Sequence, residues 1–358
     1  MKALVKTKEG FGNLEVLDTE TPSPNKDEIK IKVHYTGICG TDIHTYEGHY
    51  KVNFPVILGH EFSGEVVEVG TNITNFTIGD RVTSETTYYI CGECDYCQNG
   101  DYNLCNHRKG LGTQQNGGFT QYLVTPATSA HHIPDNVSYK AAAMTEPLAC
   151  AHHAVSKIDI QPEDVVVVIG PGPIGLLVAQ VVKSKGAKVI ITGLNNDQAR
   201  LDKAYELNLD HVVNIQNTDL KSYVNKVTNG YGANVVLECS GAIPAAKQGL
   251  DILRKKGQYV QVGIFKDSEI PFNLEQIVQK ELRIVGTRSQ KPADWEPSLQ
   301  LLSRGEVDAE SLITNELNIT QWTEGYDHIK SGEGIKVLLR LSNNFKIFIV
   351  NIQTIKGA

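Results

Sequence analysis

No stretch of about 18 consecutive apolar residues occurs in this 358-residue chain, so no membrane-spanning helix is expected. The amino-terminal Met1-Lys-Ala-Leu-Val-Lys6 lacks the apolar core that a secretory signal requires. Runs of lysine and arginine are missing as well. With 34 basic against 41 acidic side chains the formal charge is −7, which argues against a nucleic-acid surface. Internal repeats and low-complexity segments are absent. These absences lead to the expectation of a cytoplasmic protein with a small-molecule substrate and neither nucleic acid nor membrane as partner. The length exceeds what one hydrophobic core commonly serves, so two domains are expected.

Seven cysteines are present, and without a secretion signal they read as thiols and metal ligands rather than as a disulfide framework. Cys91, Cys94, Cys97 and Cys105 follow the spacing C-x2-C-x2-C-x7-C across Gly-Glu and Asn-Gly turns. Four thiolates close a zinc tetrahedron and leave no position for substrate, which is the structural type of site. Such a metal would hold a lobe with few apolar residues of its own. A zinc-ribbon nucleic-acid binder would use similar ligands, but this chain is acidic. A second donor set is dispersed and mixed: Cys39 in Gly-Ile-Cys-Gly-Thr-Asp, then Gly59-His60-Glu61. Thiolate, imidazole and carboxylate together can leave a coordination position open, which is the catalytic type. Downstream, Glu146 stands in Thr-Glu-Pro-Leu amid alanines, and a buried acid there needs a partner such as a metal. Cys150 and Cys239 read as buried core thiols.

Along the chain, the first 145 or so residues carry short β-branched or alternating runs, as in Glu28–Val33, Gly64–Val69 and Gly79–Val82. An Ala-rich helical stretch follows from Ser138 to Lys157. From Asp164 the rhythm changes. Apolar strands at Val165–Ile169, Lys188–Thr192, Val212–Val213, Val235–Leu237, Gln258–Val262 and Leu282–Val285 alternate with helices at Ile174–Lys185, Gln198–Leu207, Leu220–Val227 and Ala245–Leu253. That alternation predicts a doubly wound parallel sheet. Beyond Arg288, helices at Trp295–Leu302 and Trp322–Ile329 precede a strand at Lys336–Leu341. The predicted organisation is α/β. A discontinuous β-rich catalytic domain spans residues 1–148 and 288–342, and a dinucleotide-binding domain spans 149–287. The extension 343–358, with its strand-like Phe345–Ile352, is of unknown role: an edge strand, an interface strand, or neither.

Gly170-Pro-Gly172-Pro173-Ile174-Gly175 directly follows an apolar strand and opens a helix. In that setting the glycines allow a tight turn and the approach of a pyrophosphate to the helix N-terminus. The acidic residue that grips the adenosine ribose about 20 residues further on is missing, since Gly193 stands in its place. A 2′-phosphate would then meet no repulsion, with Arg200 or Lys203 to receive it. Asp197 or Asn195 reaching the ribose from a longer loop is the competing reading. The expectation is that NADP is accepted and preferred, with NAD as the alternative.

Assembled in order, Gly37-Ile-Cys-Gly-Thr-Asp-Ile-His44, Gly59-His-Glu-Phe-Ser-Gly-Glu-Val-Val-Glu-Val-Gly70, Gly79-Asp-Arg-Val82, Gly117-Gly-Phe119 and the glycine-rich turn resemble the zinc-dependent medium-chain dehydrogenases. The resemblance runs from the N-terminus to about Leu341. Glu61 after His60, together with Glu146-Pro-Leu148, looks like the sorbitol (polyol) dehydrogenase branch. Threonine and butanediol dehydrogenases share much of the pattern, whereas alcohol dehydrogenases of the family usually carry cysteine at the Glu146 position. The resemblance implies a GroES-like domain joined to a Rossmann domain. It implies hydride transfer between NAD(P) and a secondary alcohol of a polyol, at a catalytic Zn2+ held by Cys39, His60 and either Glu61 or Glu146. Thr41 would start a proton relay that His44 continues, Asp42 would support the ligands, and Arg288 would contact substrate. A homodimer or homotetramer is implied. Two rival readings remain at this point: a threonine- or butanediol-type dehydrogenase, and a non-enzymatic cofactor-binding structural protein.

Overall fold

Six apolar runs in the middle of the chain pair as one all-parallel sheet whose strands lie in the chain order third, second, first, fourth, fifth, sixth. The computed structural model describes residues 1–267, 269–332 and 334–341, so the 343–358 extension lies outside the described residues. The first strand, Val165–Ile169, shows why these runs are apolar throughout. Val166 and Val168 point into one core layer, Val165, Val167 and Ile169 into the other, and all five are buried. Helices cover both faces, among them Pro173–Ser184 and Ile243–Ile252, so neither face of the strand meets water. This is the doubly wound arrangement anticipated from the alternating runs. One helix of this unit, Glu275–Lys280, has no counterpart in the sequence reading, because six residues are too few to display a helical period.

The flanking segments build a second, mostly antiparallel sheet around strand Glu28–Gly37. That strand pairs antiparallel with Glu61–Val69, Tyr122–Pro126 and Lys336–Arg340. The last of these arrives from the far end of the chain and sets Leu338 opposite Gly37. Ile313–Asn318 extends the sheet beyond it in parallel, a strand the sequence reading missed. Only Ile313 and Leu317 are apolar there and the strand is half exposed, so it shows little pattern.

The Ala-rich stretch is two helices, Tyr139–Ala143 and Thr145–Ser156, rather than one. Ser138 caps the first by accepting the Ala141 N–H at 3.0 Å. The second carries Leu148, Ala151 and Ala154 into the core of the parallel sheet. Val307, Ala309 and Leu312 enter that same core. No described helix is long and apolar enough to cross a membrane.

Candidate metal and coenzyme sites

The four clustered cysteines are free thiols with Sγ–Sγ separations of 3.8 Å (Cys91–Cys97), 3.5 Å (Cys94–Cys97) and 3.6 Å (Cys91–Cys105). A disulfide would need about 2.05 Å. Sulfurs bonded at about 2.3 Å to a tetrahedral zinc stand roughly 3.8 Å apart, so the donor set fits that ion. The lobe they hold is docked at a distance in sequence. Asn103 Nδ2 donates to the Arg288 carbonyl at 2.7 Å, and Lys291 Nζ pairs with Asp101 Oδ1 at 2.7 Å. Between these two clamps sits Gln290, buried, donating to Thr86 Oγ1 at 2.9 Å and meeting the Glu146 carboxylate.

The dispersed set converges where two chain segments meet. Ligand atoms of Cys39, His60 and Glu61 all lie within 4.8 Å of one another. Cys39 caps the helix Gly40–Tyr46, and buried Asp42 ties its loop to the His60 loop. Asp42 Oδ2 accepts the Cys39 N–H at 2.9 Å and Oδ1 the Gly59 N–H at 3.4 Å. His60 Nδ1 stands 3.8 Å from Asp42 Oδ1, too far for a hydrogen bond. Gly59 has φ +88° and a Cβ there would run into the Phe119 ring, so only glycine lets the chain present His60 in this way.

Glu61 begins the strand opposite Gly37, and Lys336 begins the strand on Gly37's other side. Across the gap Lys336 Nζ forms an ion pair with Glu61 Oε2, and both side chains are buried. A Cβ at Gly37 would collide with that carboxylate and press on Lys336 Cε at 2.9 Å. Burial works to lower the Lys336 pKa, but the negative charges of Glu61 and Cys39 outweigh it and hold the amine above its ordinary value. The sequence reading missed Lys336. A lysine at the head of the final strand, followed directly by three apolar residues, is the signal that points to it.

Glu146 sits in the first turn of its helix, buried, and its charge acts on His60. Burial is the main cause that raises its pKa. It stands outside the tight group of Cys39, His60 and Glu61. Cys150, one turn on, directs Sγ to Glu146 Oε1 at 3.7 Å and is only partly buried. Its expected place as a buried core thiol is therefore corrected: i, i+4 helix spacing sets it against the acid. Cys239 is also partly buried, at the edge of the parallel-sheet core.

Thr41 Oγ1 lies 3.7 Å from Cys39 Sγ, and His44, one turn further along the helix, is 63% exposed. Arg288 is exposed on the docked segment. Arg108, absent from the sequence reading, is held by Thr87 Oγ1 at 2.9 Å and Thr86 Oγ1 at 2.7 Å, and Glu146 is among the charges acting on it.

At the parallel sheet, Gly170 follows the first strand with φ +99°, and a Cβ on Gly175 would strike the Gly170 carbonyl oxygen. A Cβ on Gly172, by contrast, would face open space. Open space at Gly172, the N-cap of the twelve-residue helix Pro173–Ser184, makes a cradle that fits a dinucleotide pyrophosphate. It lies between the first and fourth strands, where the strand order reverses. At the end of the second strand, a Cβ on Gly193 would come within 2.8 Å of Pro171 Cγ and 3.0 Å of Leu201 Cδ2, so the turn leaves little room for an acidic side chain. Asp197 is engaged locally: Oδ2 accepts the Leu194 N–H at 3.0 Å and Oδ1 pairs with Arg200 at 3.1 Å. Arg200 Nη2 donates to the Gly334 carbonyl at 3.3 Å, while its Nε is buried without a partner. Asn195 Oδ1 accepts from Asn214 Nδ2 at 2.9 Å.

Comparison with known proteins agrees with this geometry. Residues 25–135 match the family model of the alcohol dehydrogenase GroES-like domain, and residues 173–304 match that of the zinc-binding dehydrogenases. The chain is 62% identical to a sorbitol dehydrogenase of Halalkalibacterium halodurans, over 95% of this chain and 99% of the relative. It is 46% identical to a D-arabitol-phosphate dehydrogenase of Enterococcus avium, over 95% and 97% of the two chains. A zinc-binding dehydrogenase of Sinorhizobium meliloti, solved with NADP bound, superposes with a TM-score of 0.88 at 29% identity, covering 95% of this chain and 98% of that one. With one relative 62% identical over nearly its whole length, the chain belongs to the zinc-dependent medium-chain dehydrogenases, in their polyol dehydrogenase branch.

Proposed function

We propose that the chain interconverts a secondary alcohol of a polyol and the corresponding ketone. The observation that carries this reading is the convergence of Cys39, His60 and Glu61 beside buried Glu146, in a chain similar over 95% of its length to a sorbitol dehydrogenase. Cys39 and His60 would hold the metal, and Glu61 and Glu146 are the two carboxylates able to complete the set. Zinc bound there supplies a Lewis acid that acidifies a substrate hydroxyl, and NAD(P) supplies the hydride acceptor. Thr41 accepts the proton from that hydroxyl while its own hydroxyl proton moves on toward His44, whose exposed ring releases one to water. Arg288 lies on the segment clamped by the cysteine lobe and contacts the far hydroxyls of the substrate. The catalytic unit comprises residues 1–148 and 288–342, and the coenzyme unit 149–287. A cytoplasmic homodimer or homotetramer completes the proposal.

A coenzyme-linked oxidation screen over sugar alcohols, their phosphates, simple diols and L-threonine tests the substrate class. A polyol or its phosphate is expected to exceed L-threonine and butanediol by at least ~10-fold in kcat/KM, since a site built to bind several hydroxyls rejects molecules that lack them. L-Threonine as the best substrate would overturn the reading.

Coenzyme choice follows from Gly193 and Arg200. NADP is expected to give the higher kcat/KM, and Arg200→Ala to lower that value by roughly tenfold while leaving NAD turnover within about twofold, the loss of one charge-assisted contact. A hundredfold advantage for NAD in the unaltered protein would refute it.

A further inference from the structure

A third group of metal donors stands apart from both zinc sets. It lies where the helix Gly40–Tyr46 ends, with His44 in its last turn and Glu47 and His49 just beyond, and the ligand atoms of the three lie within 4.8 Å of one another. Nδ1 of His44 and Nδ1 of His49 stand 3.8 and 3.6 Å from the same carboxylate oxygen, Glu47 Oε2. Donors bonded at about 2.0–2.1 Å to a tetrahedral ion stand roughly 3.3–3.4 Å apart, so two edges of the site need a contraction of only a few tenths of an ångström. The two imidazoles are 63% and 71% exposed and are free to turn inward for the third edge.

The turn is held in place independently of any ligand. Two backbone amides, from His49 at 2.8 Å and Tyr50 at 3.2 Å, donate to the His44 carbonyl and close the segment on itself. Tyr46 anchors it in an aromatic cluster, with ring centroids 5.5 Å from Trp322 and 5.6 Å from Tyr326. From the same helix, Trp322–Ser331, Lys330 Nζ donates to Glu47 Oε1 at 2.8 Å. That bond occupies one carboxylate oxygen, and the other is the one beside the histidines.

We propose that His44, Glu47 and His49 form a peripheral site for a borderline divalent cation of the Zn2+, Ni2+ or Co2+ type, and that its occupation slows turnover by withdrawing His44 from proton transfer. Two imidazoles and one carboxylate select such ions over Mg2+ and Ca2+, which prefer all-oxygen shells. A neutral imidazole nitrogen that binds a metal can no longer accept a proton, so the same ion acts as an inhibitor. The second half of the proposal rests on the relay role of His44; the first half does not.

The test uses the full-length protein as purified, with its own metal content measured by atomic emission before and after equilibration with a modest excess of Zn2+ or Ni2+. The unaltered chain is expected to gain one ion, and His49→Gln to gain none. Lys330→Gln, which removes a cation and frees Glu47 Oε1, is expected to bind the added ion several-fold more tightly; a residue that merely supported the turn would weaken binding when lost. Added Zn2+ is expected to slow turnover at least tenfold in the unaltered protein and to spare His49→Gln. No gain of an ion, or an equal gain in His49→Gln, overturns the site. A gained ion with unchanged turnover keeps the site and overturns its inhibitory action together with the relay role of His44.

Discussion

His60→Ala, and equally Cys39→Ser, is expected to abolish turnover, with a loss of at least ~10³-fold in kcat, while NAD(P) binding survives. Polarising a substrate oxygen by a metal is worth several kcal/mol, and each 1.36 kcal/mol is a factor of ten in rate. His60 is one of three donors converging within 4.8 Å, so its loss would leave too few bonds to retain an ion there. Coenzyme binding depends on a separate cradle at Gly170–Gly175, at the carboxyl end of a central strand of the parallel sheet. Measurements of kcat, of metal content and of NAD(P)H fluorescence on binding separate the two. The expected result is one metal ion fewer per chain, an unchanged coenzyme Kd and no turnover. Near-normal turnover in a variant shown to have lost that ion would refute the assigned mechanism.

Lys336→Met is expected to be the most damaging single change outside the metal donors. Glu61 and Lys336 are both buried, and their ion pair bridges strands that lie on either side of Gly37. Removing one member leaves a buried carboxylate without its counter-charge, at a cost of about 3–5 kcal/mol. A bound ion would replace the lost partner, so the cost should fall mainly on the metal-free protein. Thermal unfolding with and without chelator therefore measures whether Glu61 belongs to the metal. The expected outcome is a large drop in Tm for the chelated variant and a smaller one for the loaded form. Equal drops in both would show that Glu61 serves only the ion pair, leaving Glu146 as the carboxylate donor. A Glu146→Gln variant with unchanged metal content would argue the opposite assignment.

Much of this architecture is legible in the order of residues. The coenzyme unit announces itself because strands buried on both faces must be apolar at every position, as Val165–Ile169 is. Its glycine-rich turn is legible too, since the approach of Gly175 to the Gly170 carbonyl arises within six residues, although Gly170 itself packs against distant Ser240. Strand Ile313–Asn318 and helix Glu275–Lys280 escaped the reading for the opposite reason. The first is half polar and the second too short, and both are stabilised by neighbours rather than by their own pattern. Cys150 was misplaced because a thiol among alanines looks like core packing until the facing acid is known.

What the sequence determined by itself is therefore whatever is encoded over short distances. The Cys91–Cys105 set falls within fifteen residues, so spacing alone brings its sulfurs to tetrahedral separations. The nucleotide turn is another such case. Only the tertiary structure decided how Cys39, Glu61 and Lys336 meet, because they come together through antiparallel pairing of three strands from distant parts of the chain. It also decided that Glu146, carried on a helix packed against the other sheet, faces the same point, and that the cysteine lobe clamps Arg288 and Lys291. Contacts between residues hundreds of positions apart are selected by the burial of whole sheets and helix faces, and no short motif records which partner that burial will supply.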